Sequence, residues 1–205
     1  MEDVLQIGKK HNVPVILDAA AHNYPVELLK KYTGMGVDLV CYGAKYFGAP
    51  NSTGILCGRK DLVESASMQG FIGFETNPFR PFGRPLKLDR QEIIAVVVAL
   101  REWVSMDHQT RFETYDKRVK NLQREFENVP NVEATPQGSP ATSLRLTFDE
   151  TALGKTAAEI ADALREGNPS IWTHASANNI TFSTLTIVDG DEQIIAGRLK
   201  SLLSG

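Results

Sequence analysis

Two short apolar runs, each leading to a charged side chain, constrain this chain more than any other feature. Val13-Pro14-Val15-Ile16-Leu17 is almost wholly apolar and halts at Asp18. Val37-Asp38-Leu39-Val40-Cys41-Tyr42 is followed three residues later by Lys45. Apolar runs of this length read as strands covered on both faces, the pattern of parallel sheets. Between them, Pro25 to Tyr32 reads as a helix with Pro25 near its first turn, and Gly34 and Gly36 stop it. Strand, helix, strand is a βαβ unit, so the expected fold class is α/β with a mostly parallel sheet.

Residues 1–12 read as the end of a helix feeding the first strand. Thr53 to Gly58 reads as a third strand, and a short helix follows from Lys60. Residues 69–88 carry many Gly, Pro and aromatic side chains without a period, which predicts a long ordered loop of the kind that usually serves function. Asp89, with Glu92 three residues on, predicts a capping box, after which Ile93, Val96, Leu100 and Trp103 keep helical spacing. A second helix is expected over about 110–127. The remainder has a different texture. Strands are expected at 131–135, 142–148, 170–174 and 179–184, and helices at 156–166 and 190–203. The helices open at Thr156 with Glu159 and at Asp189 with Glu192. This predicts a large-domain portion over 1–110 and a small C-terminal α+β domain over 111–205.

Composition narrows the function. The chain has 205 residues, 42% hydrophobic and 23% charged, ordinary values for a folded globular protein. With 22 basic and 25 acidic residues the net charge is −3, which argues against a nucleic-acid backbone as partner. The longest apolar block, Ile93 to Leu100, is too short to span a membrane. Cys41 and Cys57 lie in apolar segments outside any CxxC pair, so a reducing, cytoplasmic setting is expected. His11, His22, His108 and His174 show no ligand spacing, so no metal site is expected.

The chemistry expected centres on Asp18 and Lys45. Both stand at the carboxyl ends of buried strands, where open α/β sheets bind their ligands. A lysine in a partly dry pocket has a depressed pKa and can form an imine with an aldehyde. A carboxylate beside a pyridine nitrogen keeps that nitrogen protonated, which makes the ring an electron sink. Lysine plus aspartate is therefore the minimum set for pyridoxal-phosphate chemistry. Taken alone, the pair also reads as a surface lysine in a glycine-bounded loop and an aspartate capping the next segment. Among the other polar groups, His22 reads as an acid/base or substrate contact. Arg80, Arg84 and Arg145 read as candidate forks for a substrate carboxylate or phosphate.

A family resemblance sharpens this reading. VPVILDAA resembles the strand that supplies the pyridine-binding aspartate in fold-type I pyridoxal-phosphate (PLP) enzymes. YGAKYFGAPNSTGILCGRKDLV resembles the Schiff-base loop of the bacterial selenocysteine-synthase-like group, related to L-seryl-tRNA selenium transferases. Gly83-Arg84-Pro85-Leu86-Lys87-Leu88-Asp89 resembles that group's lead into a long domain-linking helix, and Leu164 to Pro169 resembles a turn of its C-terminal domain. The resemblance covers essentially the whole chain and is strongest over 13–104.

The resemblance implies the C-terminal part of a PLP-dependent transferase large domain followed by a small domain, with pyridoxal 5'-phosphate as cofactor. Lys45 would form the Schiff base and shuttle the α-proton, Asp18 would hold the ring nitrogen, and Ala20 would lie against the ring face. Tyr42 would sit near the cofactor phosphate, where the group usually has a small hydroxyl residue. The implied reaction is elimination or replacement at the β-carbon of an amino acid or amino-sugar acid, by a homodimer or higher homo-oligomer. Three departures stand out: Tyr42 itself, Asn51 in place of the usual Gln, and a chain that begins at the Asp18 strand. The last raises an alternative expectation, a non-catalytic fragment or pseudo-enzyme subunit needing a partner for the missing half.

Overall fold

A computed structural model of the chain describes residues 1–204, which divide into two compact units after Met106. The first unit runs α1 (Glu2–His11), β1 (Ile16–Asp18), α2 (Leu28–Gly34), β2 (Leu39–Gly43), a 3₁₀ turn (Ala44–Phe47), β3 (Gly54–Gly58), α3 (Lys60–Gln69), α4 (Phe71–Thr76) and α5 (Arg90–Ser105). Asn12 takes a left-handed conformation (φ 54°) that stops α1 and turns the chain into β1. Gly8 lets the returning strand come close, because a Cβ there would stand 2.7 Å from a Val15 methyl and 2.9 Å from the Val13 carbonyl oxygen.

The sheet order is β1-β2-β3. β1 and β2 are parallel, with Ile16 opposite Leu39, Leu17 opposite Val40 and Asp18 opposite Cys41. The helix α2 between them supplies the crossover, as the sequence spacing requires. β3 runs antiparallel to β2, with Val40 opposite Cys57. The segment joining them, residues 44–53, holds only the 3₁₀ turn and is too short for a parallel crossover. The α/β class therefore stands, with one parallel and one antiparallel pair in this sheet.

The expectation that the first strand is covered on both faces is corrected. Ile16 is 64% exposed and Val13 is also exposed, while only Val15 and Leu17 pack inward. β1 has a neighbour on one edge only, and no described element covers its other face. The core forms instead around β2, with Val40, Tyr42, Ala19 and Phe47 packed beneath Ala99 and Trp103 of α5. The capping box of α5 forms as expected, with the Asp89 N–H donating to Glu92 Oε2 at 2.9 Å. The stretch read as a loop over 69–88 contains the short helix α4, which starts after Gly70.

Asp38 ties the foot of this sheet together. Its carboxylate accepts the Val15 N–H at 2.8 Å and an Arg59 N–H at 2.8 Å. The Val15 amide first, and then the Arg59 guanidinium, hold its pKa below the usual aspartate value. A depressed folded-state pKa means stabilisation that is present above about pH 4 and lost as the pH falls through the folded value. Asp38→Ala is expected to cost about 2 kcal/mol at pH 7. In urea titrations at pH 7 and pH 3 the gap from wild type should narrow at the lower pH, and a gap that is constant or widens would refute the assignment.

The second unit is α6 (His108–Arg124), β4 (Val132–Gly138), β5 (Ala141–Phe148), α7 (Glu150–Leu153), α8 (Ala157–Arg165), β6 (His174–Ser176), β7 (Asn179–Ser183) and α9 (Asp191–Leu203). Its sheet is wholly antiparallel in the order β4-β5-β7-β6. Leu144, Leu146 and Phe148 of β5 meet Val119 and Leu122 of α6, Ile160 and Leu164 of α8 and Leu199 of α9 in one core. This is the α+β layer expected for the C-terminal part. The Thr156/Glu159 capping box forms. The start expected at Asp189 moves, because Asp189 pairs with Arg118 at 2.9 Å and Gly190, at φ 102°, begins α9 instead. Among the described residues, no helix is long and apolar enough to cross a membrane.

Candidate active site

Asp18 ends β1 directly opposite Cys41, and because β1 and β2 are parallel both chains leave the sheet at the same end. Backbone bonds carry the pairing on past the strands. The Ala19 N–H donates to Cys41 O at 2.9 Å, and the Gly43 N–H donates to Ala20 O at 3.0 Å. The loop after Asp18 and the loop carrying Lys45 are thus laced together for two further residues. The Ala20 N–H also donates to Asp18 Oδ1 at 3.0 Å, which turns the carboxylate back over its own loop and leaves Oδ2 without a bond of this kind.

Lys45 lies in the 3₁₀ turn, which is pinned on both sides. Ala44 and Phe47 are buried, the Ala44 N–H donates to Thr53 O at 3.0 Å, and Gly48 at φ 95° ends the turn. With its neighbours facing the core, Lys45 faces out, its ammonium 5.1 Å from the centroid of the Tyr46 ring. Asp18 is likewise exposed. Among the described residues, neither of the two has an ion-pair partner, so both charges remain available to a ligand.

The remaining expected residues fall in different places. His22 shares the Asp18 loop, exposed, with Nδ1 2.8 Å from the Tyr32 hydroxyl. Tyr42 is buried, its hydroxyl donates to Leu28 O at 3.2 Å, and its ring meets Phe47 edge-on. Burial pushes its phenol pKa up. Arg84 is stacked, its guanidinium carbon 4.3 Å from the Phe74 centroid and 5.9 Å from that of Phe71. Arg80 is exposed on the same stretch that leads to α5. Arg145 belongs to the second unit, in mid-β5 between Thr135 and Thr181.

Two residues that the sequence did not single out join the site. Asn23 is only 8% exposed, and its side-chain amide donates to Tyr46 O at 2.5 Å. Trp103 Nε1 donates to Asn23 O at 3.0 Å. No local pattern marks either: Asn23 sits in a loop, and Trp103 reads as one more apolar position of a helix.

The structure thus sets an exposed amine, Lys45, and an exposed carboxylate, Asp18, on two loops that leave neighbouring strands at the same end of the sheet.

No protein-family model matches the chain. It is 31% identical, over 213 residues, to the 5'-C-glycyluridine monooxygenase-decarboxylase of a Streptomyces species, covering 99% of this chain and 49% of that protein. Among solved structures it is similar to D-glucosaminate-6-phosphate ammonia-lyase, with a TM-score of 0.79 and 21% identity over 99% of this chain and 52% of that one. It is also similar to a serine palmitoyltransferase solved as its PLP internal aldimine, with a TM-score of 0.56 and 12% identity over 98% of this chain and 50% of that one. The chain spans about half the length of the curated relatives it matches.

Proposed function

Since the chain belongs to the fold-type I superfamily of PLP-dependent enzymes, of which it is a C-terminal portion, we propose that Lys45 is its cofactor-binding lysine and that the whole protein acts on an amino acid or amino-sugar acid. The observation that carries this is the parallel register of Asp18 against Cys41, which sets the carboxylate and the Lys45 turn at neighbouring strand tips.

Pyridoxal phosphate supplies an aldehyde that an amine can capture and a pyridine ring that draws electrons from bonds at the substrate α-carbon. Lys45 Nζ would hold the aldehyde end of the cofactor and would be the group placed to move a proton at the substrate Cα. Asp18 would hold the ring nitrogen through Oδ2, while Oδ1, held by the Ala20 N–H, fixes the plane of the carboxylate. Ala20 is small enough to leave the ring face open. His22 would contact substrate from the same loop, and Arg80 and Arg84 are the forked donors of this unit for its carboxylate or phosphate, Arg145 belonging to the second unit.

The reaction branch proposed is elimination or replacement at the β-carbon, hence a lyase or transferase. Two relatives are named for a glycyl-bearing nucleoside and for an amino-sugar acid phosphate, which supports an amino-acid-like centre as the common substrate element. The working assembly proposed is a homodimer or larger homo-oligomer.

The test is direct. The purified chain is incubated with PLP, reduced with borohydride, digested and mapped by mass spectrometry. Label should concentrate on the Lys45 peptide, and Asp18→Ala should weaken it there about 10- to 100-fold, the worth of a charge-assisted hydrogen bond. Label spread evenly over the surface lysines would refute the assignment. A second reading is favoured by the exposure of Ile16 on β1 and of Val13 just before it: the chain is non-catalytic alone and gains cofactor binding with a partner segment. Labelling that becomes specific only after such a segment is added would select it.

A further inference from the structure

The Lys45 turn is tied to the rest of its unit in an uneven way. Its amides are engaged: Ala44 N–H with Thr53 O, Gly48 N–H with Lys45 O and Ala49 N–H with Ala44 O. The Tyr46 carbonyl, next to Lys45, instead takes its hydrogen bond from the buried side chain of Asn23, five residues beyond Asp18. Asn23 is held in turn. Its own carbonyl accepts the Trp103 indole N–H, and the Trp103 ring stands edge-on to Phe47 at 5.7 Å and 84°. Phe47 closes the same turn that carries Lys45.

The chain of contacts is closed: Asp18 loop, Asn23, Tyr46 carbonyl, Phe47, Trp103 and back to Asn23. It spans sequence separations of 23 and 80 residues, so no single element could supply it. A second tie lies toward the other end of the same helix, where the Ser52 hydroxyl, just past the Lys45 turn, donates to the Glu92 carboxylate of the α5 capping box. Helix α5 therefore grips the Lys45 segment twice, through Glu92 near its start and Trp103 near its end.

We propose that Asn23 is a positioning residue, braced by Trp103, that locks the turn bearing the Lys45 amine to the loop bearing the Asp18 carboxylate and so fixes the separation at which one ligand can engage both. The proposal rests on the cofactor reading given above. An asparagine suits the task because its amide donates to Tyr46 O without carrying charge. Aspartate, of the same shape, loses that donor when ionised and sets a negative oxygen against a carbonyl.

The experiment uses Asn23→Asp and Trp103→Phe in the full chain, with two readouts. The first is amide hydrogen exchange at Gly48 and Ala49, set against Leu144 in the second unit. The second is borohydride-fixed PLP label at Lys45, expressed relative to Lys120, far below the thermal midpoint of each variant. Asn23→Asp should speed exchange at Gly48 and Ala49 and lower relative labelling at Lys45, each by about tenfold, as expected for a lost buried hydrogen bond. Leu144 should not change. Trp103→Phe keeps an aromatic ring against Phe47 but loses the N–H, and should give a smaller drop of the same kind. Faster exchange with undiminished relative labelling would mean that Asn23 serves packing alone, which overturns the positioning role and leaves the Lys45 assignment standing. Unchanged exchange at Gly48 and Ala49 would overturn the lock itself. A wild-type chain with no preference for Lys45 over Lys120 would sink the cofactor reading and the positioning role with it.

Discussion

Lys45→Ala is expected to remove the PLP label from the 44–49 segment altogether and to lower turnover of the active assembly by at least about 10²–10⁴-fold, the range for losing one proton-transfer group. The loss should be chemical and not conformational. Lys45 is exposed and makes no ion pair among the described residues, and the turn is held by Ala44 and Phe47 on either side of it. The thermal midpoint should therefore stay near wild type, since exposed substitutions of this kind usually act within about 0.5 kcal/mol. Lys45→Arg separates charge from nucleophilicity. It keeps a cation at the strand tip, but its guanidinium stays protonated and is not a nucleophile for an aldehyde, so it should be as unlabelled as the alanine variant. Label that survives at full strength in Lys45→Ala would place the cofactor amine elsewhere.

Phe126→Ala should show the largest stability loss. Phe126 is 1% exposed and, with Phe148, is one of the two largest fully enclosed side chains described in the second unit, where it shares a core with Val119 and Leu122 of α6 and the β5 side chains. Truncating a buried Phe costs about 3–5 kcal/mol, lost transfer energy plus the cavity left behind. Whole domains are stable by only about 5–15 kcal/mol, so much of the unit's margin would go. Urea unfolding followed by far-ultraviolet circular dichroism measures it. Ile94→Ala is the control: Ile94 is 63% exposed on α5 of the first unit, and its loss should stay within about 0.5 kcal/mol. Equal losses from the two substitutions would contradict the core described for the second unit.

What could be read from the sequence was local. The Asp89/Glu92 and Thr156/Glu159 boxes both form, because a cap depends on residues three apart and little else. The crossover through α2 followed from strand and helix periods alone. The surroundings of Tyr42 were not legible locally: strand alternation turns its ring inward, and α2 offers the Leu28 carbonyl to its hydroxyl. The capping start at Asp189 failed similarly, drawn off by Arg118 from a helix 71 residues earlier. Asn23 was illegible because its two partners, Tyr46 and Trp103, come from other elements, and no spacing rule links them.

The uncovered side of β1 has a consequence for how the polypeptide behaves in solution. One row of its amides and carbonyls has no described strand to bond with, and a bare isoleucine stands beside that row. Such a margin recruits any extended peptide that approaches it, in correct register or not. A strand supplied in trans along that flank should therefore lessen concentration-dependent association of the chain, measured by light scattering.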